Sequence, residues 1–330
     1  MRPSRSPRAA VSRHFAGLVA VLVVAAGGTA AVWAAASSWQ RSLGAGEGGA
    51  ARPLVVTSIT IIADLARQVG GDRIRVHSLL GPGQDPHTYQ PTPRDALTVS
   101  LADLVLINGH GLDYWAERLV PDTVRSRRLV PLAEGVDGPL LPWPGSHGGT
   151  DPHLWMAPAL VAGYVEQIQD ALVRLDPSGE EVFRRNAAGF VDRLQRLDAW
   201  IEGQIALVPP ERRKLVTTHD AYRYFGRRYG VEVLDTVWGI TTEEEPSAHH
   251  LAQLFRNLRQ HGVPAFVETT INPQIMEEIA AQAGVAIGGK LYADALGPSG
   301  SGAETYEGMM RYNVRVIVDA LQEAARSPAR

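Results

Sequence analysis

Short apolar runs alternate with amphipathic segments along most of the chain from residue 54 onward. Eight of the runs are three to seven residues long and rich in valine, isoleucine and leucine, which predicts buried β-strands. In the first half they cover residues 54–57, 73–79, 104–107 and 128–132. In the second half they cover residues 214–217, 231–234, 265–267 and 285–291. Helical periodicity between them, at 61–69, 250–261 and 273–283, indicates parallel sheets with helices on both faces.

One long helix is predicted between the two halves. The sequence SGEE at 178–181 has the form of a capping box, and apolar residues follow at helical spacing until Pro209 and Pro210. The pattern therefore predicts an α/β protein of two similar lobes with parallel sheets, joined by one rigid helix about 45 Å long. We expect an N-terminal lobe over 53–177, the linking helix over 178–208 and a C-terminal lobe over 209–330, with a ligand site in the cleft between the lobes.

A different pattern fills residues 1–52. Four arginines precede an uncharged run of 22 residues at 15–36, which as a helix would match the ~30 Å hydrocarbon core of a membrane. Small residues at 34–37 are suited to signal cleavage. A cleaved export signal and an uncleaved membrane anchor both fit, and each places the rest of the chain outside the cytoplasm. The glycine-rich stretch 44–51 is predicted to be a flexible tether.

The amino-acid composition excludes several kinds of functional site. The 330 residues include no cysteine, which excludes disulfides, thiolate metal sites, a cysteine nucleophile and lipid attachment through cysteine. The formal charge of −3 averages two unlike regions. Without the first 50 residues, which hold five arginines and one glutamate, 27 basic and 34 acidic residues remain, a net charge of −7. The folded part is therefore not expected to bind nucleic acid, which favours a basic face.

The candidate chemistry lies in histidines that follow predicted strands. His87 and His153 each end an Asp-Pro-His tripeptide, in which proline stiffens the turn that presents the imidazole. His219 closes the first strand of the second half, and Asp294 closes the last. Three imidazoles and one carboxylate, two groups from each lobe, would form a four-coordinate site for a divalent transition metal. Asp294 alone is a weaker signal, because aspartate at a strand end often caps a helix.

These segments resemble the metal-binding solute-binding proteins of bacterial zinc and manganese ABC transporters, the periplasmic solute-binding protein family 9 (cluster A-I). The resemblance covers about residues 53–323 and rests on the segments PGQDPHTYQPTPRD, NGHGLDYW, DPHLWMAP, THDAYRYFGRRYG, GITTEEEPSA, FVETTINPQ and ETYEGMMRYN. It implies two α/β lobes joined by a long helix, with His87, His153, His219 and Asp294 at the metal-ligand positions. It also implies a binding protein, not an enzyme, in the periplasm or on the extracellular face of the cytoplasmic membrane.

The resemblance leads us to expect a monomer that delivers Zn²⁺, or alternatively Mn²⁺, to a membrane permease, and that contacts the membrane only through its N-terminal segment. The third ligand position holds histidine, where manganese-selective members tend to have glutamate, and nitrogen-rich ligation favours zinc. Many zinc-specific members carry a long histidine-rich loop before the second Asp-Pro-His. Here the corresponding segment, residues 137–150, is short and its only histidine is His147.

Several alternatives remain open from the sequence. Glu268, at the end of a predicted strand, is either a fifth ligand or a hydrogen-bond partner of a ligand. His110 lies on a strand-end loop and is either close to the site or an ordinary loop residue. The glutamates at 243–245 are expected to be a solvated surface. A second function class is an exported zinc-dependent hydrolase with a three-histidine zinc–water centre, although the chain has no H-E-x-x-H sequence. A third interpretation is a surface adhesin, which would use the same fold with a different partner, as a second role.

Overall fold

Two four-stranded parallel sheets form the framework of the computed structural model, which describes residues 52–144 and 148–326. The strands of the first sheet are β1 (Leu54–Thr57), β2 (Arg75–Ser78), β3 (Leu104–Ile107) and β4 (Leu129–Pro131). Those of the second sheet are β5 (Lys214–Thr217), β6 (Glu232–Thr236), β7 (Ala265–Glu268) and β8 (Ile287–Leu291). The predicted strands and their parallel pairing are confirmed, and every boundary lies within two residues of the prediction.

Helices connect the strands, as parallel pairing requires. The first lobe contains α1 (Thr60–Gly70), α2 (Pro93–Ser100), α3 (Tyr114–Glu117), α4 (Asp122–Arg128) and α5 (Pro158–Leu175). The longest of the described helices, α6 (Glu180–Ile205), leads to the second lobe. That lobe contains α7 (Arg223–Tyr229), α8 (Ala248–His261), α9 (Gln274–Ala283) and α10 (Tyr306–Arg326). The two-lobe α/β prediction is therefore confirmed.

Both lobes have the same strand order. The sheets run β2-β1-β3-β4 and β6-β5-β7-β8, so the direction of the crossovers reverses between β1 and β3 and again between β5 and β7. The two central strands of each sheet are buried along their length or nearly so, as their continuous apolar sequences predict. Loops leave the carboxyl ends of the central strands in opposite directions at such a point, which opens a crevice for ligands.

Helix α6 is shorter than predicted at both ends. Its 26 residues span about 39 Å, and its buried face includes Phe183, Phe190 and Ile201. The predicted capping box is wrong: residues 177–179 form a 3-10 turn, and the helix has no side-chain cap. The Ser178 hydroxyl instead donates to Asp176 and accepts from Arg73, because an ion pair between those two residues lies beside it.

The linking helix is not the only connection between the lobes. Arg193 of α6 binds Glu307 of α10 through Nε at 3.0 Å and Gln68 of α1 through Nη2 at 2.6 Å. The backbone N–H of Tyr306 donates to the buried Asp64 carboxylate of α1 at 2.8 Å. Helices α6 and α10 therefore both pack on the first lobe, and the two lobes belong to one compact unit.

Three sequence predictions fall outside the described residues. They are the export segment at 15–36, the tether at 44–51 and the loop histidine His147. Within residues 52–144 and 148–326, every helix is too short or too polar to cross a membrane.

Candidate metal centre

Four loops bring the predicted ligands together between the lobes. His87 follows β2 and His153 precedes α5 in the first lobe, whereas His219 directly follows β5 and Asp294 follows β8 in the second. One ligand atom from each residue can be chosen so that all four lie within 4.8 Å of one another. The structure thus places all four predicted residues in one cluster, at the carboxyl ends of both sheets.

The imidazoles present their Nε2 atoms to one another and to the carboxylate. His219 Nε2 lies 3.3 Å from His153 Nε2 and 3.3 Å from Asp294 Oδ2. Asp294 Oδ1 is 3.7 Å from His153 Nε2, and Oδ2 is 3.9 Å from His87 Nε2. Ligands at about 2.0–2.2 Å from a tetrahedral ion lie about 3.3–3.6 Å apart. The separations among His153, His219 and Asp294 are close to this range, whereas His87, at 3.9 Å from Asp294 Oδ2, would have to move inward.

Burial of these four polar side chains costs free energy when no cation is bound. The four residues are at most 8% exposed, and among the described residues His87 Nε2 and both carboxylate oxygens of Asp294 have no hydrogen-bond partner. Buried polar atoms without partners are rare, because each forfeits its hydration. A divalent cation at the centre would satisfy these atoms, and neutral imidazoles with one carboxylate are suitable donors for Zn²⁺ and neighbouring transition metals.

The ring of His153 is fixed by the aspartate of its own tripeptide. Asp151 Oδ1 accepts the His153 backbone N–H at 3.0 Å and lies 2.9 Å from ring Nδ1. The other oxygen, Oδ2, accepts from Arg223 of α7 at 3.2 Å, and the Asp151 carbonyl accepts from the Tyr224 hydroxyl at 3.1 Å. Because Nδ1 donates to a carboxylate, Nε2 carries the lone pair that faces the cluster.

The ring of His219 is fixed in the same way by Glu268. One carboxylate oxygen accepts the His219 backbone N–H at 2.9 Å, and the other lies 2.5 Å from ring Nδ1. Glu268 is 1% exposed and is not a member of the four-residue cluster. Of the two roles left open for Glu268, the hydrogen bonds to His219 agree with the second, that of a partner to a predicted ligand.

His87 is held differently. Its backbone N–H donates to Asp85 Oδ1 at 2.8 Å, while Asp85 Oδ2 accepts from the Thr242 hydroxyl of the second lobe at 2.5 Å. The carbonyl of Pro86 accepts from the Trp115 indole at 2.9 Å. These bonds fix the backbone on either side of the His87 ring, and none of them reaches the ring itself.

Burial and neighbouring charges set the protonation of the cluster in the metal-free protein. Burial lowers the pKa of His87 from 6.5 to about 3, so its imidazole is neutral and free to donate. Burial also acts to lower the pKa of His219, but the carboxylates of Glu268 and Asp294 outweigh it and raise the pKa well above 6.5. Burial would raise the pKa of Asp294, yet the neighbouring imidazoles, His219 first, hold it below its usual range. A metal ion bound here would therefore displace a proton that His219 holds between Glu268 and Asp294.

Asp294 was the weakest of the sequence predictions, and its position depends on the other lobe. Trp155, two residues after His153 and fully buried, donates from its indole N–H to the carbonyl of Ala293 at 2.9 Å. The carbonyl of Trp155 in turn accepts from the Tyr306 hydroxyl of α10 at 2.6 Å. The chain of bonds joins α10, the His153 turn and the Asp294 loop.

Sequence reasoning missed four residues that support the ligands. Asp85 and Asp151 lie in the predicted stiff turns, and their spacing of two residues from a histidine is the signal for their role, because it allows a carboxylate to reach the histidine N–H. Arg223 and Thr242 gave no signal, because their partners lie 72 and 157 residues away along the chain.

The remaining candidates lie outside the cluster. His110 adopts a left-handed backbone with φ of 50°, its backbone N–H donates to Glu134 at 3.4 Å, and it is not one of the four clustered residues. His250 lies 2.7 Å from the Thr236 carbonyl, which is a structural contact. The glutamates at 243–245 are exposed, as predicted.

Comparison with known families agrees with a divalent-metal site. Residues 55–320 match the family described as "Zinc-uptake complex component A periplasmic". The chain is 38% identical over 270 residues to the manganese-binding lipoprotein MntA of Halalkalibacterium halodurans, covering 82% of this chain and 88% of the relative. It is 33% identical to the iron-binding protein YfeA of Yersinia pestis, with 80% and 84% of the two chains covered.

A solved structure extends the similarity to the fold. The periplasmic zinc-binding protein TroA of Treponema pallidum superposes with a TM-score of 0.77 at 34% identity, covering 82% of this chain and 99% of that one. The relatives carry names of metal-binding and transporter proteins, not of enzymes. The chain belongs to the family of periplasmic zinc-uptake complex component A.

Proposed function

We propose that the chain is the substrate-binding component of a divalent-metal ABC importer, and that it captures Zn²⁺ outside the cytoplasm and hands it to the membrane permease. The observation that carries the proposal is the buried cluster of His87, His153, His219 and Asp294, whose unpartnered atoms face one another. Four protein ligands complete a tetrahedral sphere, which suits a carried ion because no position is left for a reacting water.

The choice of Zn²⁺ follows from the donor atoms. Three imidazole nitrogens favour Zn²⁺ over Mn²⁺, which binds nitrogen donors more weakly and prefers oxygen ligands. Mn²⁺ is the second candidate, because a relative at 38% identity is named as manganese-binding. Competitive titration of Zn²⁺ against Mn²⁺, together with metal analysis of protein purified from its native compartment, separates the two ions.

The proposed location is the periplasm or the outer face of the cytoplasmic membrane. Relatives are named as periplasmic proteins and as lipoproteins. This chain has no cysteine to carry a lipid, so we assign attachment or export to the uncharged run at residues 15–36. The acidic balance of the remaining residues suits a monomer that attracts cations.

A hydrolase would need a general base beside the metal, and the buried Glu268 is not free to act as one. Its two carboxylate oxygens both accept from His219. A base engaged in this way orients a ligand and does not activate a water.

The test compares wild-type protein with His219→Ala in competition against a chromophoric zinc chelator. His249→Ala is the matched control, since His249 is an exposed histidine outside the cluster. We expect tight 1:1 binding by the wild type and the control, and binding weakened at least 100-fold in His219→Ala. Equal affinities in all three would overturn the proposed site. Zinc-dependent hydrolysis that disappears with His219 would favour the enzyme instead.

A further inference from the structure

The three imidazoles of the cluster are not held equally. The rings of His153 and His219 are each bonded at Nδ1 by a carboxylate of the same lobe, at 2.9 and 2.5 Å. His87 Nε2 has no partner among the described residues, and the hydrogen bonds that fix this ligand all act on its backbone or its neighbours. His87 is therefore the ligand whose position depends most on the loop that carries it.

The loop at residues 81–88 is joined to the opposite lobe through one carboxylate. Asp85 Oδ1 receives the His87 N–H, and Oδ2 receives the Thr242 hydroxyl, which comes from the segment before α8. The same carboxylate thus connects a ligand of the first lobe to the second lobe. If the Thr242 bond breaks, Asp85 Oδ2 keeps the longer bond from the Thr88 hydroxyl of its own loop, at 3.2 Å, and loses its bond to the second lobe.

The surroundings of this loop allow it to move. Residues 82–84 are exposed, and Gly83 has φ of 76°, a conformation that residues with side chains rarely adopt. In the second lobe, Asp220, Thr241 and Glu243 line a cleft. Asp220 is the sequence neighbour of His219, and the other two flank Thr242, so the cleft is lined by residues next in sequence to a cluster residue and to the partner of Asp85.

The opposite side of the cluster is closed. Trp155 and Tyr306 are fully buried, and their bonds to the Ala293 and Trp155 carbonyls cross from one lobe to the other at 2.9 and 2.6 Å. Opening on this side would expose two large aromatic side chains and break two buried hydrogen bonds, which is far more costly than breaking one bond at the half-buried Thr242.

We infer that Asp85 and Thr242 are positioning residues that hold His87 on the bound ion, and that the Thr242 hydroxyl sets how long the ion stays. This inference rests on the proposed function, because it concerns the residence time of the carried metal. Release begins when the Thr242–Asp85 bond opens and the 81–88 loop withdraws His87 toward the cleft lined by Asp220 and Glu243. His153 and His219, fixed by their own carboxylates, stay in place.

The experiment measures the dissociation rate of Zn²⁺ into excess chelator by stopped flow, for the full-length wild type, Thr242→Val and Thr242→Ser. Valine keeps the shape of threonine without the hydroxyl, whereas serine keeps the hydroxyl. Thr241→Val is the matched control, since the one hydrogen bond of the Thr241 hydroxyl within residues 52–144 and 148–326 is accepted from the Glu243 N–H in the same loop. We expect dissociation about tenfold faster in Thr242→Val, and rates within about twofold of wild type in Thr242→Ser and Thr241→Val.

The melting temperature of each metal-free variant separates positioning from folding. We expect Thr242→Val to melt within a few degrees of wild type while its dissociation rate changes. A dissociation rate in Thr242→Val equal to that of wild type would overturn the inference, as would an equal acceleration in Thr241→Val. Failure of the proposed function is distinct from both, because the wild type would then bind neither Zn²⁺ nor Mn²⁺.

Discussion

Two turns with the same tripeptide supply two ligands of one cluster, yet they hold them in different ways. In Asp85-Pro86-His87 and in Asp151-Pro152-His153 the aspartate accepts the histidine N–H, at 2.8 and 3.0 Å. Asp151 is fully buried and also bonds the ring of its histidine. Asp85 is half-buried and turns its second oxygen to Thr242 of the other lobe.

The difference lies in what surrounds each turn. The local sequence sets the backbone, because proline restricts its own φ and the residue before it. Arg223 and Tyr224 then hold Asp151 from the second lobe, which leaves its carboxylate directed at the ring. In the turn of His87, the second lobe supplies one hydroxyl to the aspartate, that of Thr242 to Asp85. Equal motifs thus hold one histidine by its ring and backbone and the other by its backbone alone.

Removal of a ligand is the largest perturbation. Zinc sites of four ligands bind with about 10–16 kcal/mol, so each ligand accounts for about 3–4 kcal/mol, or a factor of about 10²–10³. We expect His153→Ala and His87→Ala each to weaken zinc binding by that factor, with the greater loss in His153→Ala, since Asp151 then loses its ring partner. Competition titration measures both. Affinity within threefold of wild type in either variant would contradict the assigned ligand set.

Neutralising Asp151, which fixes the ring of His153, should have the second largest effect on zinc binding. Asp151→Asn removes the charge that orients His153, and changes of this kind typically weaken metal binding about 10–100-fold. Asp85→Asn should act mainly on the dissociation rate, because Asp85 bonds the backbone of its histidine and not the ring. Equilibrium titration and stopped-flow dissociation, run on both variants, distinguish the two effects. The same pattern in both would mean that the turns are equivalent.

Proton competition has a smaller effect, and its sign follows from the pKa shifts. The pKa of His219 is raised above 6.5 in the metal-free protein, so its proton stabilises the metal-free fold below pH 6.5, and that stabilisation is lost as pH rises through the raised value. The metal must displace this proton, so apparent affinity should rise about tenfold per pH unit above pH 6.5. His87, with a pKa of about 3, adds nothing in this range.

Calorimetry in buffers of different ionisation enthalpy counts the protons released. We expect about one per bound ion at pH 7. An affinity that stays flat between pH 6.5 and 8 would show that His219 is already neutral in the metal-free protein.

A substitution on the closed side of the cluster, formed by Trp155 and Tyr306, should have the smallest effect on zinc binding. Tyr306→Phe removes the hydroxyl that donates to the Trp155 carbonyl and leaves a buried acceptor unpaired. We expect a loss of about 1–3 kcal/mol in the free energy of unfolding, measured with urea, and zinc affinity within about threefold of wild type. A large loss of affinity with unchanged stability would mean that this side also moves during release.

Much of this architecture was predictable from sequence, for reasons that are local. Apolar runs such as 54–57 and 104–107 specify buried strands, the two Asp-Pro-His tripeptides specify turns, and His219 lies two residues after the end of β5. What could not be predicted depends on distant partners: Glu268 reaches His219 across 49 residues, and Thr242 reaches Asp85 across 157. The predicted capping box at Ser178 failed for the same reason, because Arg73 and Asp176 engage its hydroxyl.

The placement of Tyr306 on the last helix has a consequence for the order of synthesis. Domains begin to form from the N-terminus as a chain emerges, so residues 87 and 153 are available long before Asp294 and Tyr306. The ligand set is complete only when nearly the whole sequence has been made and the final helix has docked on α1. A chain that crosses a membrane from its N-terminus therefore acquires its metal after translocation, in the compartment where the ion is to be collected.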